Sequence, residues 1–207
     1  PLYMLFNRNY YRAIKEYFRR TGYHKNTLRN IYKNYFLFGQ MMIDRFYLFA
    51  REKNIFSSKI TNWDSFTRLL EGESGFVISG AHMGNFEICG YFMKQQVKKL
   101  HAVVLGGESA FLQSHRAQAL SGNTASLISI SPDMSHLFTI KTALDKGDIV
   151  SMPCDRLFGS TKAFTVPFLG SPALFPMGGF MLAAQLNVPM ISLFVMREKK
   201  KKYHIYC

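Results

Sequence analysis

The chain has 207 residues, 48% of them hydrophobic, which is enough for one substantial core and too little for two full domains. Twenty-six Lys and Arg against thirteen Asp and Glu leave a formal charge of +13, which favours anionic partners such as phospholipid headgroups, nucleic acid or acidic carrier proteins. Cys89, Cys154 and Cys207 are too few and too widely spaced for a disulfide framework or a cysteine-rich zinc site, and they fit a reducing cytoplasmic side.

In chain order, the segment Asn9 to Arg20 predicts a short basic helix that stops near Gly22, and a longer helix comes next, from about Thr27 to Arg51. In the second, Leu28, Ile31, Tyr35, Phe38, Met42, Phe46 and Phe49 recur at three- and four-residue spacing as one apolar stripe. Lys25, Arg29, Lys33, Arg45 and Arg51 supply positive charge, so the helix is expected to pack on the domain with a solvated basic side. Direct membrane contact is the rival reading.

From Phe76 onward, short apolar runs alternate with helical stretches. Strands are expected at Phe76 to Ser79, His101 to Leu105, Leu127 to Ile130, Asp148 to Ser151 and Met190 to Phe194, with helices at Phe86 to Lys94, Ser109 to Leu120, Met134 to Lys146 and Gly179 to Leu186. Such alternation implies an α/β fold: a single domain with a largely parallel central sheet flanked by helices, preceded by N-terminal basic amphipathic helices. The expected division is 1–60 for the helical region and 61–207 for the α/β core. No charge occurs from Ala163 to Met196, but Pro167, Pro172, Pro176, Pro189 and Gly178-Gly179 interrupt that stretch, so a buried helix and strand are expected there rather than a membrane span. The run from Lys199 to Lys202 reads as a solvated turn between two strands. Because the chain opens at Pro1 and stops at Cys207 inside an alternating strand pattern, it is read as a fragment.

The chemistry concentrates in Ser79-Gly80-Ala81-His82-Met83-Gly84-Asn85-Phe86-Glu87, after a buried strand and before a helix, where α/β sheets place their ligands. His82 in the loop and Glu87 in the first helical turn can meet if Gly84 and Asn85 make the bend and the cap. A carboxylate on one imidazole nitrogen leaves the other to take a proton from an alcohol. Spacing alone is matched as well by a His and a Glu that merely fall near a strand end, Glu87 there favouring the helix N-terminus. His24, His101, His115, His136 and His204 form no ligand-like cluster, so no metal is expected. Zincin, Walker, G-x-G-x-x-G and G-x-S-x-G patterns are missing.

His82 to Glu87 resembles the H-x-x-x-x-D/E motif of the lysophospholipid acyltransferase superfamily, in particular its late lipid A acyltransferase branch, which uses Glu. The block from Leu144 through Asp148-Ile149-Val150-Ser151-Met152-Pro153-Cys154-Asp155-Arg156 is similar to the family's helix, strand and Asp-Gln block. Val166-Pro167-Phe168-Leu169-Gly170-Ser171-Pro172-Ala173 resembles its V-P-F-F-G-x-x-A segment, and Ala183-Ala184 with Val188-Pro189-Met190 resembles its subsequent small-residue helix and strand entry. Arg156 stands where the branch often has Gln, and the F-P-E-G-T-R block of glycerolipid acyltransferases is absent, which points away from a glycerol-3-phosphate or lysophosphatidate acceptor.

The resemblance implies acyl transfer from an acyl thioester to a hydroxyl of a lipid A precursor or related bacterial lipid, at the cytoplasmic face of the bacterial inner membrane. His82 would be the general base and Glu87 its orienting partner. Asp155 would be a further site residue, Arg156 a ligand for an acceptor phosphate or carboxylate, and Arg116 a basic contact to the acceptor. Phe168, Leu169, Leu174 and Phe175 would line an acyl groove. Acyl carrier protein or acyl-CoA is the implied donor, the membrane surface a partner, and no cofactor is implied. Nucleic acid is not expected, for want of any nucleic-acid-binding signature. The rivals are an acyltransferase for an amino-acid lipid or glycolipid, and a noncatalytic basic domain that binds membrane or nucleic acid.

Overall fold

The computed structural model describes residues 7–23, 25, 27–50, 55–89, 98–105, 125–157, 162–199 and 201–207. Helix α1 (Arg8–Arg20) begins where the Asn7 side chain accepts a hydrogen bond from the Tyr10 amide, at 2.9 Å, and ends on Arg19 and Arg20, which complement the helix dipole. It packs Ile14 against Ile31 and Tyr35 of helix α2 (Thr27–Ala50).

The stripe expected along α2 is buried only in part. Ile31 and Tyr35 are buried against α1, but farther along the buried residues are Asp44 and Leu48, because α2 leans first on α1 and then on the α/β body. Leu28, Tyr32, Phe36, Ile43 and Phe46, which fall on one side at helical spacing, are exposed. Arg45 is not part of a solvated basic side either: its guanidinium is turned inward. Among the described residues, no helix is long and apolar enough to cross a membrane.

Next come two elements that the apolar pattern did not reveal, strand β1 (Ser57–Thr61) and helix α3 (Trp63–Glu71). The central sheet then starts at β2 (Phe76–Gly80) and takes in β3 (Leu100–Leu105), β4 (Ala125–Ile130), β5 (Ile149–Pro153) and, last, a strand at Met190–Ser192. Its five strands lie in the order β4-β3-β5-β2 and then Met190–Ser192, every pair parallel. Helix α4 (Ser135–Asp145) precedes β5, within a residue of its expected bounds. The helix expected from Phe86 opens as a 3-10 turn, Phe86–Ile88, and the one expected at Ser109 to Leu120 lies outside the described residues.

Beyond β5, the helix and strand expected in the uncharged region are present as α5 (Gly178–Gln185) and β8 (Met190–Ser192), but a hairpin that the pattern does not reveal, β6 (Ala163–Phe168) and β7 (Ser171–Pro176), precedes them. The hairpin residues are exposed or half-buried. The strand expected from Met190 to Phe194 is broken at Leu193. There the chain leaves the central sheet and enters a second one, in which β9 (Phe194–Lys199) pairs antiparallel with β10 (Lys202–Tyr206), and β10 pairs parallel with β1. Lys199 to Lys202 therefore does connect two strands.

Alternation along β2 divides the core. Phe76 and Ile78 point to a cluster with Leu48, Phe66, Leu193, Val195 and Tyr203, whereas Val77 joins Ile140, Leu144, Val150, Met152 and Ala183 on the other face. One face of the sheet is thus covered by α2, α3 and the second sheet, the other by α4 and α5. Burial on both faces makes β2 a rigid platform, and the loop beyond its carboxyl end is anchored to it.

Candidate active site

Strands β2 and β5 are parallel neighbours with Gly80 opposite Pro153. The register continues past both ends, the Cys154 amide bonding to the Gly80 carbonyl at 2.8 Å. Equal advance along both chains brings His82 beside Asp155. The two oxygens of Asp155 accept from His82 twice: Oδ2 from the backbone amide at 2.8 Å, and Oδ1 from the ring Nδ1 at 2.8 Å. With its proton held on Nδ1, the imidazole carries its basic lone pair on Nε2. The His82 and Asp155 side chains are 26% and 22% exposed, open enough to meet a substrate. Phe86 sets its ring edge-on to the imidazole at 5.1 Å and limits the ring's tilt.

The turn that carries His82 is tied down from several sides. Gly84 has φ of 67° and bridges to Val195 of β9, and the Asn85 amide bonds to the Val195 carbonyl at 2.8 Å. Gly84 makes the expected bend. Asn85 makes no side-chain cap; its side chain is 0% exposed and directed into the core. There its Nδ2 donates to the Tyr203 hydroxyl at 3.0 Å and to the Met41 carbonyl at 3.3 Å. The Tyr203 hydroxyl donates in turn to Asp44 at 2.6 Å, and Arg197 meets the same carboxylate at 2.8 Å.

Glu87 stands in the short turn after Asn85, with its Oε1 2.9 Å from Nη1 of Arg45. The imidazole partner expected from the chain at Glu87 has thus a second claimant in Asp155, which sits directly on Nδ1. Arg156, the next residue, is exposed, and Arg116 lies outside the described residues. Phe168 and Leu174, expected in an acyl groove, lie on the exposed hairpin at 50% and 55% exposure. Sequence reasoning missed Arg45, Tyr203 and Arg197 as parts of the site's support, since a basic residue in an amphipathic helix and a Tyr in a strand carry no local mark of their partners.

Cys154, adjoining Asp155, offers no nucleophile: burial and then the Asp155 charge push its thiol up to about 11, so it stays protonated at neutral pH. Burial, and then its bond to Asp44, likewise push the Tyr203 phenol well above the ordinary 10. Both groups hold protons in the folded chain at pH values where the unfolded chain has released them. The unfolded state then binds fewer protons, so stability falls as pH rises, from the ordinary thiol value near 9 through the folded value near 11. Urea unfolding should therefore show a midpoint lower at about pH 10.5 than at about pH 8, and an unchanged midpoint would contradict this coupling.

Among the described residues, no group of His, Cys, Asp and Glu could hold a metal ion. The fold and site define a doubly covered parallel α/β protein with an imidazole and carboxylate pair at the carboxyl ends of two adjacent strands, an arrangement able to move a proton to and from a hydroxyl. The chain belongs to the bacterial lipid A biosynthesis acyltransferases, whose family model matches residues 24–207. No curated protein matches it. It is accordingly a transferase of a membrane-associated family that takes an acyl donor and a lipid acceptor.

Proposed function

We propose that this protein moves a fatty acyl group from a thioester, carried by acyl carrier protein or coenzyme A, to a hydroxyl of a lipid A precursor or related lipid. The cytoplasmic face of the inner membrane is the proposed place. The observation that carries the reading is the His82 and Asp155 pair at the ends of β2 and β5 in a chain of this family. Nε2 of His82 takes the acceptor's O–H proton as the oxygen attacks the thioester carbonyl. Collapse of the tetrahedral intermediate breaks the C–S bond, and the imidazolium returns the proton to the departing thiolate sulfur, which leaves as the thiol. Asp155 fixes the tautomer and offsets the imidazolium charge. Glu87 is the second carboxylate of the site, its charge matched by Arg45. Arg156 and Arg116 serve an anionic group of the acceptor.

The net charge of +13 supports both an acidic carrier and an anionic lipid surface. The exposed Leu28, Tyr32, Phe36, Ile43 and Phe46 of α2 support seating on that surface.

Transfer assays with acyl carrier protein and coenzyme A thioesters, against lipid A precursors, test the reading. Turnover with an amino-acid lipid or a glycolipid and with no lipid A precursor would replace the acceptor. Asp155→Asn should lower kcat by on the order of 10²-fold, because the amide can offer its NH₂ to Nδ1 and favour the wrong tautomer. If that variant kept wild-type kcat, Asp155 would not be the orienting group.

A further inference from the structure

We propose that Arg45, on helix α2 and outside the parallel sheet, is a positioning residue that sets the His82 turn. This rests on the assignment of His82 as the base. The Arg45 guanidinium reaches two residues of the segment from His82 to Glu87: its Nη1 lies 2.9 Å from Glu87 Oε1, and its Nε and Nη2 each lie 3.4 Å from Asn85 Oδ1. Asn85 is wholly enclosed and also tied to the Met41 carbonyl, one helical turn before Arg45. A single planar fork thus holds two positions just beyond Gly84. Lys, a point charge, cannot reproduce it.

The pair is shielded. The Arg45 and Glu87 side chains are only 16% and 15% exposed, so their attraction is stronger than that of surface charges, and removal of one partner leaves the other poorly solvated. Helix α2 has independent ties to the body through Leu48 and through Asp44 with Arg197 and Tyr203. Loss of Arg45 removes these contacts and is therefore felt at the turn. His82 keeps Asp155 but loses the fixed base beneath it, and a displacement of about 1 Å suffices to cost on the order of 10²-fold in rate.

Steady-state kinetics of Arg45→Met, Arg45→Lys, Glu87→Gln and the double variant Arg45→Met/Glu87→Gln in the full chain test this. Arg45→Met should lower kcat by roughly 30- to 100-fold with KM within about threefold, and Arg45→Lys should recover part of the loss. The double variant removes both charges of the pair, so its loss should be smaller than the product of the single losses. If Arg45→Met does not fold, Arg45→Lys and the double variant carry the test. A folded Arg45→Met with kcat within about threefold of wild type, a loss confined to KM, or strictly multiplicative losses would overturn the proposal. Full turnover by His82→Ala would instead overturn the base assignment beneath it.

Discussion

His82→Ala should lower acyl transfer by on the order of 10²–10⁴-fold while the chain stays folded. The side chain is about a quarter exposed and lies at the end of β2 rather than in either core cluster, so its truncation opens no cavity among the buried residues. The loss is that of the lone pair on Nε2 and, with it, the acceptor for the hydroxyl proton. Asp155 keeps its bond to the backbone amide of residue 82, so the loop retains one of its ties. Cys154, the chain neighbour of Asp155, cannot substitute, because its thiol holds its proton. Thermal unfolding, lipid binding and turnover measured on one preparation separate a lost base from a lost fold. Transfer within about threefold of wild type would remove His82 from the mechanism.

Gly84→Ala should damage both stability and turnover. At φ of 67° a side chain costs about 1–3 kcal/mol in backbone strain. The added Cβ would also collide with the carbonyl oxygen of Val195 and sit 2.8 Å from Met196 Sδ. The first of these is backbone held in β9 and cannot rotate away, so the turn must move instead. Because that turn joins His82 to Asn85, the displacement passes to the imidazole, and kcat should fall by on the order of 10²-fold. Gly170 is the control. Its φ is 76°, yet among the described residues nothing lies within 4 Å of the place its Cβ would take. Gly170→Ala should show strain of the same order and leave turnover near wild type. Equal effects on turnover at both positions would mean that contact with β9 is not what sets the His82 turn.

Much of the architecture is written locally. Unbroken apolar runs such as Phe76-Val77-Ile78 mark strands buried on both faces, and α4 and α5 arise from helical periodicity between turn residues. The hairpin of β6 and β7 is not legible in this way, because its residues are apolar without being buried, and apolar character alone does not distinguish the two. The break at Leu193 is equally silent in the chain, since an apolar residue fits the end of β8, the start of β9 or the passage between them.

The alternating α/β class, the place of the candidate site after β2, the bend at Gly84 and, through ordered motifs, the family are all readable along the chain. Which carboxylate meets the imidazole, and what supports the turn, follow from long-range packing. Asp155 is far from His82 along the chain and comes to it through the register of β2 on β5, which rests on the packing of both strands into a common core. Arg45 is farther from Glu87 than any local spacing can signal, and its role depends on α2 leaning on the body at that point. Residue type announces that a charge or an imidazole is present. Its partner is chosen by the hydrophobic burial that fixes sheet order and helix placement, and that is a property of the whole chain.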